Sequence, residues 1–344
     1  MRAMLLHHIV DLARHSAPLA PAEVPRPEPE ASQILIEVTA CGVCHTELDE
    51  IEGRTPPSRL PMIPGHQVVG RVAALGPAAG QFRPGERVGV AWIYSACGRC
   101  RFCRQGQENL CTEFQATGRD ADGGYAEFMV VDEAFAHPIP AGLGDAQAAP
   151  LLCAGAVGYR ALRLCGLTDG QALGLTGFGA SAHLVLQLAR HLYPHSPVYV
   201  FARGSDERQF ARELGAAWAG HTDDPPPQPP QAMIDTTPAW QPVIAALACL
   251  APGGRLVINA IRKESKDREV MAGIDYAAHL WQEKEIKSVA NVTRRDVREF
   301  LDLASRIPLR PQVQTYPLEQ ANQALLELKQ RKIRGAKVLL MDFR

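Results

Sequence analysis

Apolar positions in the first third of the chain fall in short runs, Ile34 to Thr39, Gln67 to Ala73, Arg87 to Trp92 and Tyr125 to Val131, separated by turn signals such as Arg83-Pro84-Gly85-Glu86. Regularly spaced β-like runs of this kind predict a compact β-rich domain or partial barrel. From about Ala154 the pattern changes. A strand from Ala172 to Thr176 is followed by a helix from Ala182 to Leu192, a strand from Val198 to Phe201 and a helix from Glu207 to Leu214. That alternation is the mark of βαβ units, so the expected fold class is α/β, a doubly wound parallel sheet beside a β-rich domain. Further strands are expected at Ala232 to Asp235, Arg255 to Ile258 and Ile286 to Ser288. The run Pro225 to Pro230 has no helical capacity and reads as a stiff, shortened crossover with no ligand role. The tail, with a helix from Glu319 to Gln330 and a strand from Lys337 to Met341, returns to the pattern of the first third, and its strand needs a sheet to join.

At 344 residues the chain suits two domains and has the apolar content to fill both. Lys+Arg 36 against Asp+Glu 37 leaves a net charge of -1, which argues against a nucleic-acid or anionic-membrane surface as the main partner. No apolar run approaches a membrane span, and the stretch from Met1 to Val10 has no hydrophobic core followed by a cleavage site, so a soluble, cytoplasmic protein is expected. The nine cysteines are an odd number in a large chain, which fits thiolates kept for metal in a reducing compartment better than a disulfide framework.

Cys97, Cys100, Cys103 and Cys111 are spaced Cys-x2-Cys-x2-Cys-x7-Cys, a pattern that aims four sulfurs at one tetrahedral centre. Zinc is the expected occupant, and an iron–sulfur cluster is the rival that the same ligands can hold. Four sulfurs close the shell, so this centre should brace a loop and catalyse nothing. Cys44, His66 and Cys153 form a second set with the ligand count of an open site, which leaves one zinc position for water or substrate. Spacing does not single them out, since Cys41 of Cys41-Gly42-Val43-Cys44 would serve equally. Downstream, Gly177-Phe178-Gly179-Ala180-Ser181-Ala182 follows an apolar strand and opens a helix, the setting of a Rossmann dinucleotide turn. The next strand ends Phe201-Ala202-Arg203, with Ala202 where an acid would hold the NAD ribose and Arg203 placed to accept a 2′-phosphate. That favours NADP(H), with NAD(H) still open.

Three stretches together, Ala40-Cys41-Gly42-Val43-Cys44-His45-Thr46-Glu47, Pro64-Gly65-His66-Gln67-Val68-Val69-Gly70 and Leu151-Leu152-Cys153-Ala154-Gly155, closely resemble the zinc-dependent alcohol dehydrogenases of the medium-chain dehydrogenase/reductase superfamily. Within it the chain looks most like bacterial members grouped with cinnamyl alcohol dehydrogenases. The resemblance implies a GroES-like catalytic domain over 1–153 and 291–344, with a structural-zinc lobe at 94–112, and a Rossmann domain over 154–290. It implies two zinc ions per chain, a catalytic one on Cys44, His66 and Cys153 and a structural one on the four-cysteine run, and leaves Cys41 for packing.

The implied reaction is hydride transfer between an alcohol and NAD(H) or NADP(H). Thr46 is implied to relay the substrate proton, Glu47 to orient the ligand imidazole, and His45 to lie near the cofactor pyrophosphate. Two positions depart from the family pattern. Gln67 stands where many members have glutamate, and Asp49 where many have the histidine that ends the relay. Trp92, and after it Tyr94, resemble pocket-wall positions. The segment Gly53-Arg54-Thr55-Pro56-Pro57 lacks the tryptophan that narrows the pocket of small-alcohol relatives, which implies larger primary alcohols, benzylic or medium-chain.

The resemblance further implies a homodimer or homotetramer, with Val257 to Ala260 as a candidate edge region. Rival readings are a polyol, threonine or formaldehyde dehydrogenase of the same superfamily, and a noncatalytic zinc and nucleotide redox sensor whose four-cysteine cluster releases metal on oxidation.

Overall fold

The computed structural model describes residues 1–342. In chain order, β1 (Arg2–Leu6), β2 (Leu19–Glu23) and β3 (Gln33–Val43) lead to α1 (His45–Ile51). Strands β4 (Val68–Leu75), β5 (Arg87–Val90) and β6 (Ile93–Ser95), helix α2 (Arg101–Arg104), and strands β7 (Gln115–Ala116), β8 (Phe128–Asp132) and β9 (Ala136–Pro138) follow, with α3 (Asp145–Ala148) after them. The α/β half runs α4 (Ala154–Cys165), β10 (Leu173–Thr176), α5 (Ala180–Leu192), β11 (Val198–Phe201), α6 (Ser205–Glu213), β12 (Trp218–Gly220), β13 (Ala232–Asp235), α7 (Gln241–Cys249), β14 (Arg255–Ile258), α8 (Tyr276–His279) and β15 (Glu285–Ser288). The tail holds α9 (Arg294–Arg306), β16 (Val313–Pro317), α10 (Ala321–Lys329) and β17 (Ala336–Leu340). Two compact units result, one from Met1–Cys153 and the chain from Val292 onward, the other from Ala154–Asn291.

In the first unit the tail strand β17 joins β3 antiparallel, and a seven-stranded sheet runs β16-β17-β3-β4-β5-β9 with β8 also on β3. The second unit has six parallel strands in the order β12-β11-β10-β13-β14-β15. Counted from its first strand this is 3-2-1-4-5-6, the Rossmann order, and it reverses between β10 and β13. A ligand crevice is expected outside the carboxyl ends of those two strands. The Pro225 to Pro230 segment carries no helix and links β12 to β13 across the sheet.

Several boundaries differ from expectation for local reasons. The strand expected from Tyr125 begins at Phe128 because Gly123, Gly124 and Tyr125 instead hydrogen-bond along Ile63, Pro64 and Gly65. A Cβ on Gly123 would lie 2.1 Å from the Gly65 carbonyl, so only glycine permits this approach beside His66. Helix α6 starts at Ser205 because Glu207 turns back to the Gly204 amide. Val257 to Ala260 is not an edge, since β14 pairs with both β13 and β15. The sheet's edges are β12 and β15, and the four residues of β15 are all exposed. Among the described residues no helix is long and apolar enough to cross a membrane.

Candidate active site

Cys44 leaves β3 as the N-cap of α1, His66 precedes β4, and Cys153 precedes α4. Their ligand atoms all lie within 4.8 Å of one another. Glu47, three residues into the capping box, makes both fixing contacts. Its Oε2 accepts from the Cys44 amide at 2.8 Å, and its Oε1 accepts from His66 Nδ1–H at 2.6 Å. With Nδ1 committed to Glu47, the buried His66 Nε2 makes no hydrogen bond within the fold and is the nitrogen left for a metal.

Two thiols, an imidazole nitrogen and no other acceptor in the group suit a borderline-soft ion such as zinc. The Cys153 thiol, followed by the His66 imidazole, holds Cys44 well below the usual thiol range, so the set already favours a thiolate. Burial alone would lower the His66 pKa, but Glu47 and Cys44 together raise it well above its ordinary value.

The other expected residues divide around this group. Thr46 is buried, with its Oγ1 3.6 Å from Cys44 Sγ, and His45 is exposed at the start of α1. Asp49 is buried and its carboxylate accepts from Arg54 Nε at 2.6 Å. Gln67 is buried against Gly42, where any Cβ would meet its side chain at 2.7 Å. Cys41 stays outside both metal groups and is packed beside Gly65 and Gly124, and burial pushes its thiol up. Trp92 lies between β5 and β6 in the core, against Phe114 at 5.1 Å between ring centroids and under the Arg119 guanidinium.

Two residues near the group were not anticipated. Arg54 holds Asp49. Glu50 follows Glu47 on the same face of α1, fully enclosed, and burial, reinforced by Glu47, raises its pKa well above the carboxylate range. An acid three residues beyond another in a short helix was the available signal.

Cys97, Cys100, Cys103 and Cys111 also converge, with Sγ–Sγ separations of 3.9 Å for Cys97–Cys103 and 3.5 Å for Cys97–Cys111. A tetrahedron of zinc–sulfur bonds has edges of about 3.8 Å, so the cradle fits that ion. The amides of Cys100 and Cys103 point at the sulfurs of Cys97 and Cys100, at 3.4 and 3.5 Å. Backbone amides at Arg99 and Cys100 bring Cys97 down to about 7, whereas burial pushes Cys103 up to about 12. Glu108, buried at the end of this lobe, accepts from the backbone and side chain of Arg294 at 2.8 and 3.1 Å.

In the second unit, Gly177 follows β10 with φ +76, in the left-handed region. A Cβ there would also strike Thr236 Oγ1 and Thr237 Cγ2 at 2.9 Å. Gly179 caps α5, and a Cβ on it would meet open space, which leaves room for a ligand to approach the backbone. Ala180 and Ser181 form the first turn of α5. The Ser181 hydroxyl donates to the Ala154 carbonyl at 2.9 Å and accepts from Asn259 at 3.1 Å, so it is spent inside the fold. Phe178 is buried against Phe210 and serves packing. Ala202 is buried at the end of β11, and Arg203 is exposed beside it.

Residues 30–141 match the family model for the alcohol dehydrogenase GroES-like domain. A probable alcohol dehydrogenase, AdhA, of Mycobacterium tuberculosis (strain CDC 1551 / Oshkosh) is 46% identical over 323 residues, covering 92% of this chain and 91% of its own. Among solved structures, a CAD from Helicobacter pylori complexed with NADP(H) aligns with a TM-score of 0.85 at 22% identity, covering 98% of this chain and 97% of its own. A cobalt and zinc bound thermostable alcohol dehydrogenase from Pyrobaculum aerophilum aligns with a TM-score of 0.86 at 23% identity over 99% of both chains. With nearly half its residues shared over almost the whole length of the mycobacterial relative, the chain belongs to the zinc-dependent alcohol dehydrogenases of the medium-chain dehydrogenase/reductase superfamily.

Proposed function

We propose that this oxidoreductase transfers hydride between a primary alcohol, benzylic or medium-chain, and a nicotinamide dinucleotide, using a catalytic zinc on Cys44, His66 and Cys153 and a structural zinc on Cys97, Cys100, Cys103 and Cys111. The observation that carries the reading is the three-ligand set with His66 Nε2 turned out by Glu47. Bound there, zinc would supply Lewis acidity toward the alcohol or aldehyde oxygen, and the dinucleotide would accept or give the hydride.

The chain's own residues do the rest. Glu47 fixes the imidazole tautomer and the start of α1 together. The Thr46 hydroxyl, beside Cys44, is placed to hydrogen-bond the substrate oxygen and move its proton. Asp49, engaged by Arg54, contributes more to holding the loop after α1 than to the relay. Gln67, packed on Gly42, is an amide and takes no part in holding the metal.

Gly177, Gly179 and the first turn of α5 would take the pyrophosphate, and the H. pylori CAD, solved with NADP(H), supports a nicotinamide dinucleotide there. Arg203 at the end of β11 favours the 2′-phosphate. An assembly of two or four copies fits the exposed edge strand β15, which carries Ile286 and is preceded in the chain by the exposed Tyr276 and Trp281. An aldehyde and alcohol panel assayed with both cofactors tests the reading. Benzyl alcohol should exceed ethanol in kcat/KM and NADPH should exceed NADH. Ethanol winning would overturn the substrate class, and NADH winning by more than about tenfold would overturn the role of Arg203.

A further inference from the structure

A buried ion pair lies directly behind the dinucleotide turn. Asp235, the last residue of β13, is fully enclosed, and the Lys263 side chain is only 7% exposed. Lys263 Nζ pairs with Asp235 Oδ2 and donates to the carbonyls of Thr237 and Ala239 at 2.8 and 2.9 Å, so all three of its protons are used. Asp235 Oδ1 accepts from Thr176 Oγ1 at 2.6 Å and from Thr237 Oγ1 at 2.8 Å. Thr176 is the residue before Gly177, and its carbonyl accepts from the Thr236 amide and hydroxyl at 3.0 and 2.9 Å. The same Thr236 and Thr237 side chains would meet any Cβ added at Gly177. The cluster therefore sits at the carboxyl ends of β10 and β13, where the strand order reverses.

One residue from a turn meant for a pyrophosphate, a buried carboxylate without a counter-charge would repel the ligand, because charges in a poorly screened interior act strongly on one another. Fixing Thr176 requires an acceptor at Asp235, and Lys263 makes that acceptor electrically neutral. We infer that Asp235 and Lys263 are positioning residues for the dinucleotide. Asp235 holds the glycine turn through Thr176, and Lys263 cancels the charge that Asp235 would set against the bound diphosphate. The inference rests on the dinucleotide reading of this turn. It adds residues that lie far from Gly177 in sequence and touch it only through the fold.

The test titrates NADPH and NADH into the full-length, zinc-loaded protein, following tryptophan fluorescence, with zinc content and thermal melting as checks on folding. Lys263→Met leaves the carboxylate uncompensated and should raise Kd at least about tenfold. Asp235→Asn retains a carbonyl oxygen to accept from Thr176, so the turn stays held, keeps the cation, and should stay within about threefold of wild type. The double variant, neutral again, should bind more tightly than Lys263→Met alone. A purely structural pair would instead make the two single variants equally weak. Equal losses, or no loss in Lys263→Met, would overturn the inference. If Lys263→Met does not fold, a tenfold loss in Asp235→Asn overturns it as well. Wild type that binds neither nucleotide would instead refute the dinucleotide reading itself.

Discussion

Replacing Glu47 by glutamine keeps the side-chain shape and removes one charge from the most enclosed part of the metal centre. Glu47 accepts from two donors, His66 Nδ1 at 2.6 Å and the Cys44 amide at 2.8 Å. Glutamine has one carbonyl oxygen, so it can serve one donor while its NH2 group faces the other. Hydrogen bonds to charged groups contribute about 1.5–3 kcal/mol, and losing one costs roughly 10- to 150-fold in zinc affinity at this centre. Loss of a group that holds a ligating histidine lowers metal affinity by a similar 10- to 100-fold. Competition with a chromophoric chelator reads this directly, and the four-cysteine centre in the same molecule is the internal control. In Glu47→Gln one zinc should leave at lower chelator concentration and the other as in wild type. Unchanged release of both, or earlier release from the four-cysteine site, would refute the role given to Glu47.

Steady-state oxidation of benzyl alcohol should fall about 100-fold or more in Thr46→Ala, the loss typical of a removed proton-transfer group, and less than about tenfold in Asp49→Ala, whose carboxylate is already engaged by Arg54. The reverse order would place the relay on Asp49. In the first unit, the buried Lys337 ammonium meets Glu327 at 2.6 Å and the Tyr316 hydroxyl at 2.5 Å. Glu327→Gln leaves that cation uncompensated and should destabilise the protein by about 3 kcal/mol at pH 7 in urea unfolding. Lys337 holds Glu327 down to about 2 from its ordinary 4.5, so the pair's contribution is complete above pH 4.5 and is lost as pH falls toward 2. The gap between wild type and variant should close across that window, and a gap independent of pH would contradict the assignment.

Local pattern made much of the second unit legible. The apolar run Leu173 to Thr176 followed by Gly177-Phe178-Gly179 needs no partner elsewhere to be recognised as a strand, turn and helix start. Helices α7 and α9 were not foreseen. The first is apolar nearly all round, and the second shows itself through the Thr293 and Asp296 capping box. At the metal centre, the roles of Cys44 and Cys41 could not be separated by spacing. They are separated by the fold, in which β3 packs Cys41 into the sheet and ends at Val43, leaving Cys44 as the cap of α1 beside His66 and Cys153. The pairings Glu108–Arg294 and Asp235–Lys263 join residues distant in the chain and leave no periodic trace. Ser181 lies in the first turn of α5, and its hydroxyl, which the sequence alone leaves unassigned, is committed to Ala154 and Asn259.

Zinc stoichiometry measured alongside alcohol oxidation, in wild type, Cys153→Ser and Cys103→Ser, tests the division of labour between the two cysteine groups most directly. Two zinc per wild-type chain are predicted, one for each ligand set. Cys153→Ser should keep its fold and one zinc while oxidation falls to background, and Cys103→Ser should lose thermal stability or assembly before the hydride step suffers. Two zinc retained in Cys153→Ser with turnover near wild type would contradict the account.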